Sequence, residues 1–382
     1  MRASSKAFYL PMNSLLTDNQ FCTSCAACEN VCPKDAISMH LDKNGFLRPI
    51  VNEVKCIHCG LCEKKCPVKK KVTSPNCNYE VPIVYAAFAK DVQIRIKSSS
   101  GGLFTCFAQK IIEQGGVACG VYQETPTSLY HTFVESAEDL EKLRGSKYLQ
   151  SNPGKIYQRT KDFLNKGRKV LFSGTPCQIA ALYAVLGERH YENLWTIDIV
   201  CHGTPSFMVF QKYIQEIELE KQGSIKKTFF RDKRLGWKQF SMTNVIEYCD
   251  GNSFQHSHTL QEDIFLKTFL SNICLNESCY NCNYNGIPRL ADITIGDYWG
   301  VERFHPDMND DKGIGLLMIN NNRGKFLLER VKANITVQES ELNKAIVYNP
   351  CVLKSYPVHP NRDIYFKELK NLSLRELFNK YV

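Results

Sequence analysis

Cysteines at Cys22, Cys25, Cys28 and Cys32, closed by Pro33, recur at Cys56, Cys59, Cys62 and Cys66, closed by Pro67. Each run sets three cysteines two residues apart and a fourth after three more, and the copies are offset by 34 residues throughout. No other feature constrains the fold as strongly, because the short loops must point their sulfurs inward. The spacing is that of a two-cluster bacterial ferredoxin, in which three close cysteines wrap a cubane and the displaced fourth reaches the neighbouring one. It assigns Cys22, Cys25, Cys28 and Cys66 to one [4Fe-4S] cluster and Cys32, Cys56, Cys59 and Cys62 to a second. Zinc, the rival metal, takes four ligands per site, commonly as two spaced pairs, and does not call for an interleaved double run. Two adjacent clusters suit a relay of single electrons better than a brace for the fold.

The 382 residues allow two or three domains, and a composition 43% hydrophobic and 23% charged is that of an ordinary globular chain. Apolar runs such as 315–319 fall far short of the ~20 residues of a membrane span, so no membrane insertion is expected. The opening segment 1–16 is interrupted by Pro11 and Asn13 and makes a poor signal peptide. The expected compartment is the cytoplasm, whose reducing conditions thiolate clusters need. The formal charge of +9 omits the metal. Each oxidised cubane with its four thiolates carries about −2, so three of them would leave roughly +3, and no nucleic-acid partner is expected. Lys64, Lys65, Lys69, Lys70 and Lys71 form a basic run beside the second cysteine run. It reads first as a solvated face and second as a docking patch for an acidic partner.

The expected organisation is a ferredoxin-type module at 13–72, whose two motifs cover about 13–42 and 46–76, and a linker at 73–83. Short hydrophobic pieces at 36–39 and 45–50 are expected to follow the runs and cover the clusters. From 84 the pattern alternates strand and helix. Strand 169–173, helix 177–186, strand 194–200 and helix 205–221 form a βαβ unit with parallel strands. Strands are expected from 224 to 258, with a hairpin turn at Asp250-Gly251. The main domain divides into parts at 84–190 and 191–345, and a helical tail covers 346–382. The fold class is α+β / α/β multidomain: a ferredoxin-like two-cluster module plus a mixed α/β domain containing parallel βαβ units.

Cys177 follows the first strand of the βαβ unit and Cys201 the second, which puts both at the carboxyl edge of one sheet, where α/β sites form. With Cys279 and Cys282 they make a candidate third cluster. The residues alone leave open that Cys177 and Cys201 are ordinary buried thiols, that Cys274 is an alternate ligand, or that Cys274, Cys279 and Cys282 follow plant-type spacing. The Ser98–Gly102 loop opens a helix and makes a candidate phosphate cradle. No GxGxxG nicotinamide fingerprint is present.

Several motifs together resemble the beta subunits of the coenzyme F420 hydrogenase/dehydrogenase family, with the ferredoxin module fused in front. They are Ser99-Ser100-Gly101-Gly102, Gly145-Ser146-Lys147-Tyr148, Gly174-Thr175-Pro176-Cys177-Gln178, Cys201-His202-Gly203, Cys279 through Cys282, Ala291-Asp292-Ile293 and Gly296-Asp297-Tyr298-Trp299-Gly300. The resemblance implies that the α/β domain binds FAD beside a [4Fe-4S] cluster held by Cys177, Cys201, Cys279 and Cys282. Cofactor-binding candidates are Ser99, Ser100, Gly101, Gly102, Lys147, Tyr148 and Trp299. Catalytic residues stay open, with Lys238 and Asp297 as candidates, and Arg231 and Arg234 join Lys238 around Trp237 as a possible hold for an acidic substrate. His202 is a candidate for tuning the cluster rather than for catalysis.

The expected function is that of a flavin-dependent iron–sulfur oxidoreductase. It would exchange hydride between FAD and an organic coenzyme or substrate, an F420-like deazaflavin or another, and pass single electrons to a redox partner protein. The alternative is an accessory electron-transfer subunit with no substrate of its own, and a third reading makes the clusters mere braces.

Overall fold

The computed structural model describes residues 21–382. The 1–16 segment and the first residues of the expected 13–72 module lie outside the described residues.

The N-terminal module is small. Its elements are α1 (Ala27–Val31), β1 (Ile37–Leu41), β2 (Leu47–Val51) and α2 (Leu61–Lys64). The two hydrophobic pieces do not follow one run each. They pair antiparallel as a single hairpin between the runs, Ile37 opposite Val51.

The body is an eight-stranded mixed sheet. Its strands are β3 (Asn78–Ala89), β4 (Val117–Thr125), β5 (Ser128–Val134), β6 (Val170–Gly174), β7 (Leu194–Ile199) and, across an insertion holding β8 to β10, β11 (Ile293–Asp297), β12 (Gly315–Asn321) and β13 (Ile335–Ser340). Their spatial order is β13-β3-β12-β11-β7-β6-β4-β5. The four central strands β4, β6, β7 and β11 run parallel, and the flanking strands pair antiparallel. The centre has the sequence a parallel sheet covered on both faces requires, short runs such as VLFSG and LWTIDI that are buried almost throughout.

Side chains alternate between two cores. Ala118 and Leu171 meet α4 (Leu103–Ile112) and α11 (Asn322–Val331). Val117, Cys119, Val170 and Phe172 meet α6 (Ile156–Asn165) and α7 (Pro176–Leu186). Cys25, Ala27 and Val72 belong to that second core, so the N-terminal module shares the apolar interior of the body. The strand expected from 84 begins earlier, at Asn78, within the segment read as a linker. Pro82 lies where the β3–β12 ladder shifts register, between Ile319 and Asn321, so its missing N–H breaks no regular pairing.

The insertion forms a separate antiparallel sheet of β8 (Gly223–Asp232), β9 (Ser241–Tyr248) and β10 (Ser253–Thr259), with Asp250-Gly251 in the turn between the last two. Side chains from this sheet, from the preceding helix 207–221, from helix 264–270 and from the C-terminal helices 362–368 and 374–381 close a third core.

Candidate functional site

Parallel strands β6, β7 and β11 end at one edge of the sheet, and the chain leaving each end carries a predicted site residue. After β6, Thr175 caps α7 in a reciprocal box with Gln178, and Cys177 falls in the first turn. Cys201 follows β7 by two residues, and Trp299 follows β11 by two. Cys177, Cys201, Cys279 and Cys282 line one cavity, together with His202, Arg289 and Cys351. Burial pushes the thiols of Cys177, Cys201 and Cys279 up, the last to about 11. Repulsion from Cys282 adds to all three, and Cys201 is raised further by Cys279 and Cys351. Such thiols stay protonated near neutrality unless a cation takes the place of the protons.

The donors around these sulfurs are already in place. The Thr175 hydroxyl lies 3.1 Å from Cys177 Sγ, the Thr204 amide donates to Cys279 Sγ at 3.4 Å, and the Tyr284 amide donates to Cys282 Sγ at 3.4 Å. Hydrogen bonds of this kind set the potential of a thiolate-held cluster. Cys274 takes no part, since its sulfur is buried in the third core and directed at the Thr268 carbonyl. The plant-type reading of Cys274, Cys279 and Cys282 therefore loses its first ligand. Cys351, alone in sequence after Pro350, gave no spacing signal and is found only through the fold.

In the N-terminal module, burial pushes the thiols of Cys22, Cys25 and Cys28 up, Cys25 to about 12, and Cys66 adds repulsion to each. The structure thus gathers the first three cysteines of one run with the fourth of the other. Cys56, Cys59 and Cys62 lie nearer solvent, with Cys59 exposed. Cys32 ends α1 and its sulfur accepts the Ala36 amide at 3.3 Å. Among the described residues, only Glu53, Cys56 and His58 bring three ligand atoms within 4.8 Å of one another.

Two side chains tie the third thiol group to the first. Tyr284, whose amide meets Cys282 Sγ, sends its hydroxyl to the carbonyl of Pro67, next to Cys66, at 2.6 Å. Gln150 accepts from the Thr204 hydroxyl at 3.1 Å and donates to the Ser24 carbonyl at 3.4 Å. Neither residue stood out in the sequence.

On its other side the third group adjoins an aromatic and basic corner. The His202 ring packs 4.9 Å from Phe269, Phe269 lies 5.2 Å from Tyr148, and Tyr148 lies 6.2 Å from Phe240. Phe240 is 5.9 Å from Trp299, which stacks on Trp237 at 5.0 Å with the rings 3° from parallel. Trp237 Nε1 donates to Asp297 Oδ1 at 2.7 Å. The Arg231 guanidinium lies over Phe240 at 4.5 Å and Trp299 at 5.0 Å. Its Nη2 donates to the Trp237 carbonyl, while the buried Nε and Nη1 have no hydrogen-bond partner among the described residues. Nε faces the Asp297 carboxylate at 4.0 Å, which leaves Nη1 as the unpartnered N–H of a buried guanidinium beside stacked rings, an arrangement that suits an anionic or carbonyl-bearing planar ligand.

The small-residue loop reaches the same corner. Lys233 Nζ donates to the Ser100 carbonyl at 2.9 Å, to the Lys312 carbonyl at 2.7 Å and to the Arg95 carbonyl. Burial and then the Arg95 charge pull its ammonium down to about 7. The Ser146 amide donates to Ser99 Oγ at 2.7 Å and so brings the Lys147 loop alongside. Lys147 Nζ donates to the carbonyls of Leu143 and Arg144, and burial pulls it down to about 7. Gly101 is required by packing alone: a Cβ there would stand 2.5 Å from the Ala87 carbonyl oxygen. Gly102, at φ +81°, opens α4 without any side-chain cap, leaving first-turn amides for an anion. The Ser99 hydroxyl accepts from Ser146 and the Ser100 hydroxyl donates to Ile314, so neither is held ready for a phosphate. Lys238 is exposed, and its amide donates to Asp311. Arg234 pairs with Asp232 on the surface.

Comparison with known proteins follows the same division. The family model "Coenzyme F420 hydrogenase/dehydrogenase, beta subunit N-term" matches residues 84–156, its C-terminus counterpart matches 167–345, and a 4Fe-4S dicluster domain matches 21–70. An uncharacterized protein of Methanocaldococcus jannaschii is 28% identical over 368 residues, covering 87% of this chain and 93% of its own. One subunit of the F420H2 dehydrogenase of Methanosarcina mazei is 24% identical over 201 residues, covering 50% of this chain and 56% of its own. A chain in the xenon-derivatized F420-reducing NiFe hydrogenase complex from Methanosarcina barkeri aligns with a TM-score of 0.48 and 19% identity, over 79% of this chain and 91% of that one. No described helix is long and apolar enough to cross a membrane. The chain belongs with the beta subunits of the coenzyme F420 hydrogenase/dehydrogenase family and carries a 4Fe-4S dicluster domain at its N-terminal end.

Proposed function

We propose that the chain is an iron–sulfur flavoprotein that joins hydride exchange at FAD to one-electron transfer with a redox partner protein. The observation that carries this reading is the continuity of the site. Rings run from Trp299 through Phe240, Tyr148 and Phe269 to His202 beside Cys201, and Tyr284 continues from Cys282 to Pro67 beside Cys66.

In this reading Cys22, Cys25, Cys28 and Cys66 hold one [4Fe-4S] cluster, and Cys32, Cys56, Cys59 and Cys62 a second. Cys177, Cys201, Cys279 and Cys282 hold a third. The donor sets fit: each is four thiols, and a polynuclear group offsets the burial that pushes up the thiols of Cys22, Cys25, Cys28, Cys177, Cys201 and Cys279. When bound, FAD supplies the conversion of a two-electron hydride step into single-electron steps. The chain's own part is to orient and polarise. Arg231 offers its unpartnered Nη1 to a carbonyl or anionic edge of the ring system, and Trp299 offers a flat face. Asp297 holds Trp237 in place, and the first-turn amides of α4, with Lys147 and Lys233 nearby, receive phosphate. The organic partner is an F420-like deazaflavin or another hydride carrier.

Anaerobic purification followed by iron and flavin quantitation tests the reading. The expected result is about twelve iron atoms and about one flavin per chain. Iron without flavin would sink the flavoprotein reading and leave an accessory electron-transfer subunit.

A further inference from the structure

The three thiol groups are not equally placed. Through Tyr284 and Gln150 the first adjoins the third, and Cys25 lies in the core shared with the body. The second stands at the outer end. Cys59 is exposed, and so are Val54 at 97% and Ile57 at 56%. Apolar side chains left open around a redox group are what a transient partner covers.

Charge in this segment is mostly positive, with Glu53 paired to His58 at 3.9 Å. From Glu53 to Lys71 there are six lysines and two glutamates and no other charged residue apart from His58. Glu63 is neutralised by Lys69, and Lys70 pairs with Glu188 of the body at 3.6 Å. Lys55, Lys64 and Lys71 are exposed and make no ion pair with a described residue. Unpaired, exposed lysines in the same segment as exposed apolar side chains steer an acidic protein to that segment and orient it there.

We propose that the face formed by Val54, Ile57 and Cys59, with Lys55, Lys64 and Lys71 of the same segment, is the docking surface for a small acidic one-electron carrier protein. This rests on the reading that the second cysteine run holds a cluster. The exchange moves one electron: the chain is oxidised by one as the carrier is reduced by one, or the reverse, and no bond or proton moves.

Binding to an acidic two-cluster ferredoxin, titrated anaerobically at rising salt, tests the proposal. Affinity should fall at least about tenfold between 50 and 300 mM salt, since exposed pairs are screened beyond a Debye length. A Lys55→Glu/Lys64→Glu/Lys71→Glu variant should bind about tenfold or more weakly at low salt, with iron content and melting temperature unchanged. Carbodiimide should link the carrier's carboxylates to Lys64 or Lys71 in the unaltered protein. Unchanged binding by the variant, cross-links confined to the body, or equal binding of basic cytochrome c or of a 20-base-pair DNA duplex would overturn it. Iron analysis separates the two failures. Absent iron defeats the functional reading, while the titration reads surface charge and still decides the docking surface.

Discussion

His131 links fold and site through one titratable ring. It is buried and stacked 5.7 Å from Phe172, and its Nδ1 lies 3.0 Å from the Ser151 hydroxyl. That hydroxyl accepts from Gln178, the residue that closes the cap of α7 beside Cys177. Burial pulls the His131 pKa from 6.5 down to about 4. Between those values the unfolded chain takes up a proton and the folded chain does not, so stability falls as pH drops from 6.5 towards 4. The loss by pH 5 should be about 2 kcal/mol. A His131→Asn variant, which keeps a polar partner for Ser151 but does not titrate, should lose less stability between pH 7 and pH 5. Urea unfolding at the two pH values measures this, and equal losses in both proteins would remove His131 as the cause. Nothing in the sequence marked this residue. A histidine in a strand is seen as buried only once Phe172 and Ser151 are packed against it.

Among the elements, α7 governs the third thiol group. Its sequence carries a cap signal, Thr175 with Gln178 three residues on and Pro176 at the first position, and the structure forms that box. Gln178 Oε1 accepts from the Thr175 amide at 2.9 Å, which fixes the turn carrying Cys177. Gln178→Ala should cost about 1–2 kcal/mol in stability. Because Cys177 loses its fixed turn, iron should fall from about twelve to about eight per chain while the ferredoxin-type clusters remain. Iron analysis with a thermal melt checks both, and a full iron complement would mean that Cys177 does not need the cap. Elements with strong local signals were legible in this way: α7, the parallel β6 and β7, and the Asp250-Gly251 turn. The β3 strand was legible from 84 to 89 but not from 78 to 83, because Pro82 reads as a breaker until the register shift opposite it is known. The corner around Arg231 was legible only in part. Trp299 and Tyr148 came from motifs, whereas Lys233 and Phe269 are brought in by the insertion sheet and a later helix, whose placement no local pattern encodes.

At the scale of the whole molecule, the two cysteine runs are interchangeable in sequence and different in place. Their spacing is identical, so nothing local says which of them faces the body. The fold distinguishes them because Cys25 shares a core with α6 and α7, and because Tyr284 and Gln150 reach from the third group only to the neighbourhood of the first. In the proposed relay the first group is therefore the middle station of three. Magnetic coupling between reduced clusters reads this order directly. In the unaltered protein, each outer cluster should couple to the middle one and broaden or split its resonance. Cys59→Ser, which disables the second group, should leave coupling between the first and third. Cys279→Ser should leave coupling between the first and second. Cys28→Ser, which disables the middle group, should leave the two outer resonances narrow and unsplit, because what remains is separated by the width of the module. Electron paramagnetic resonance of the three reduced variants, each with its iron content measured, checks the order. Splitting that persists in Cys28→Ser would put the second and third groups side by side and overturn it.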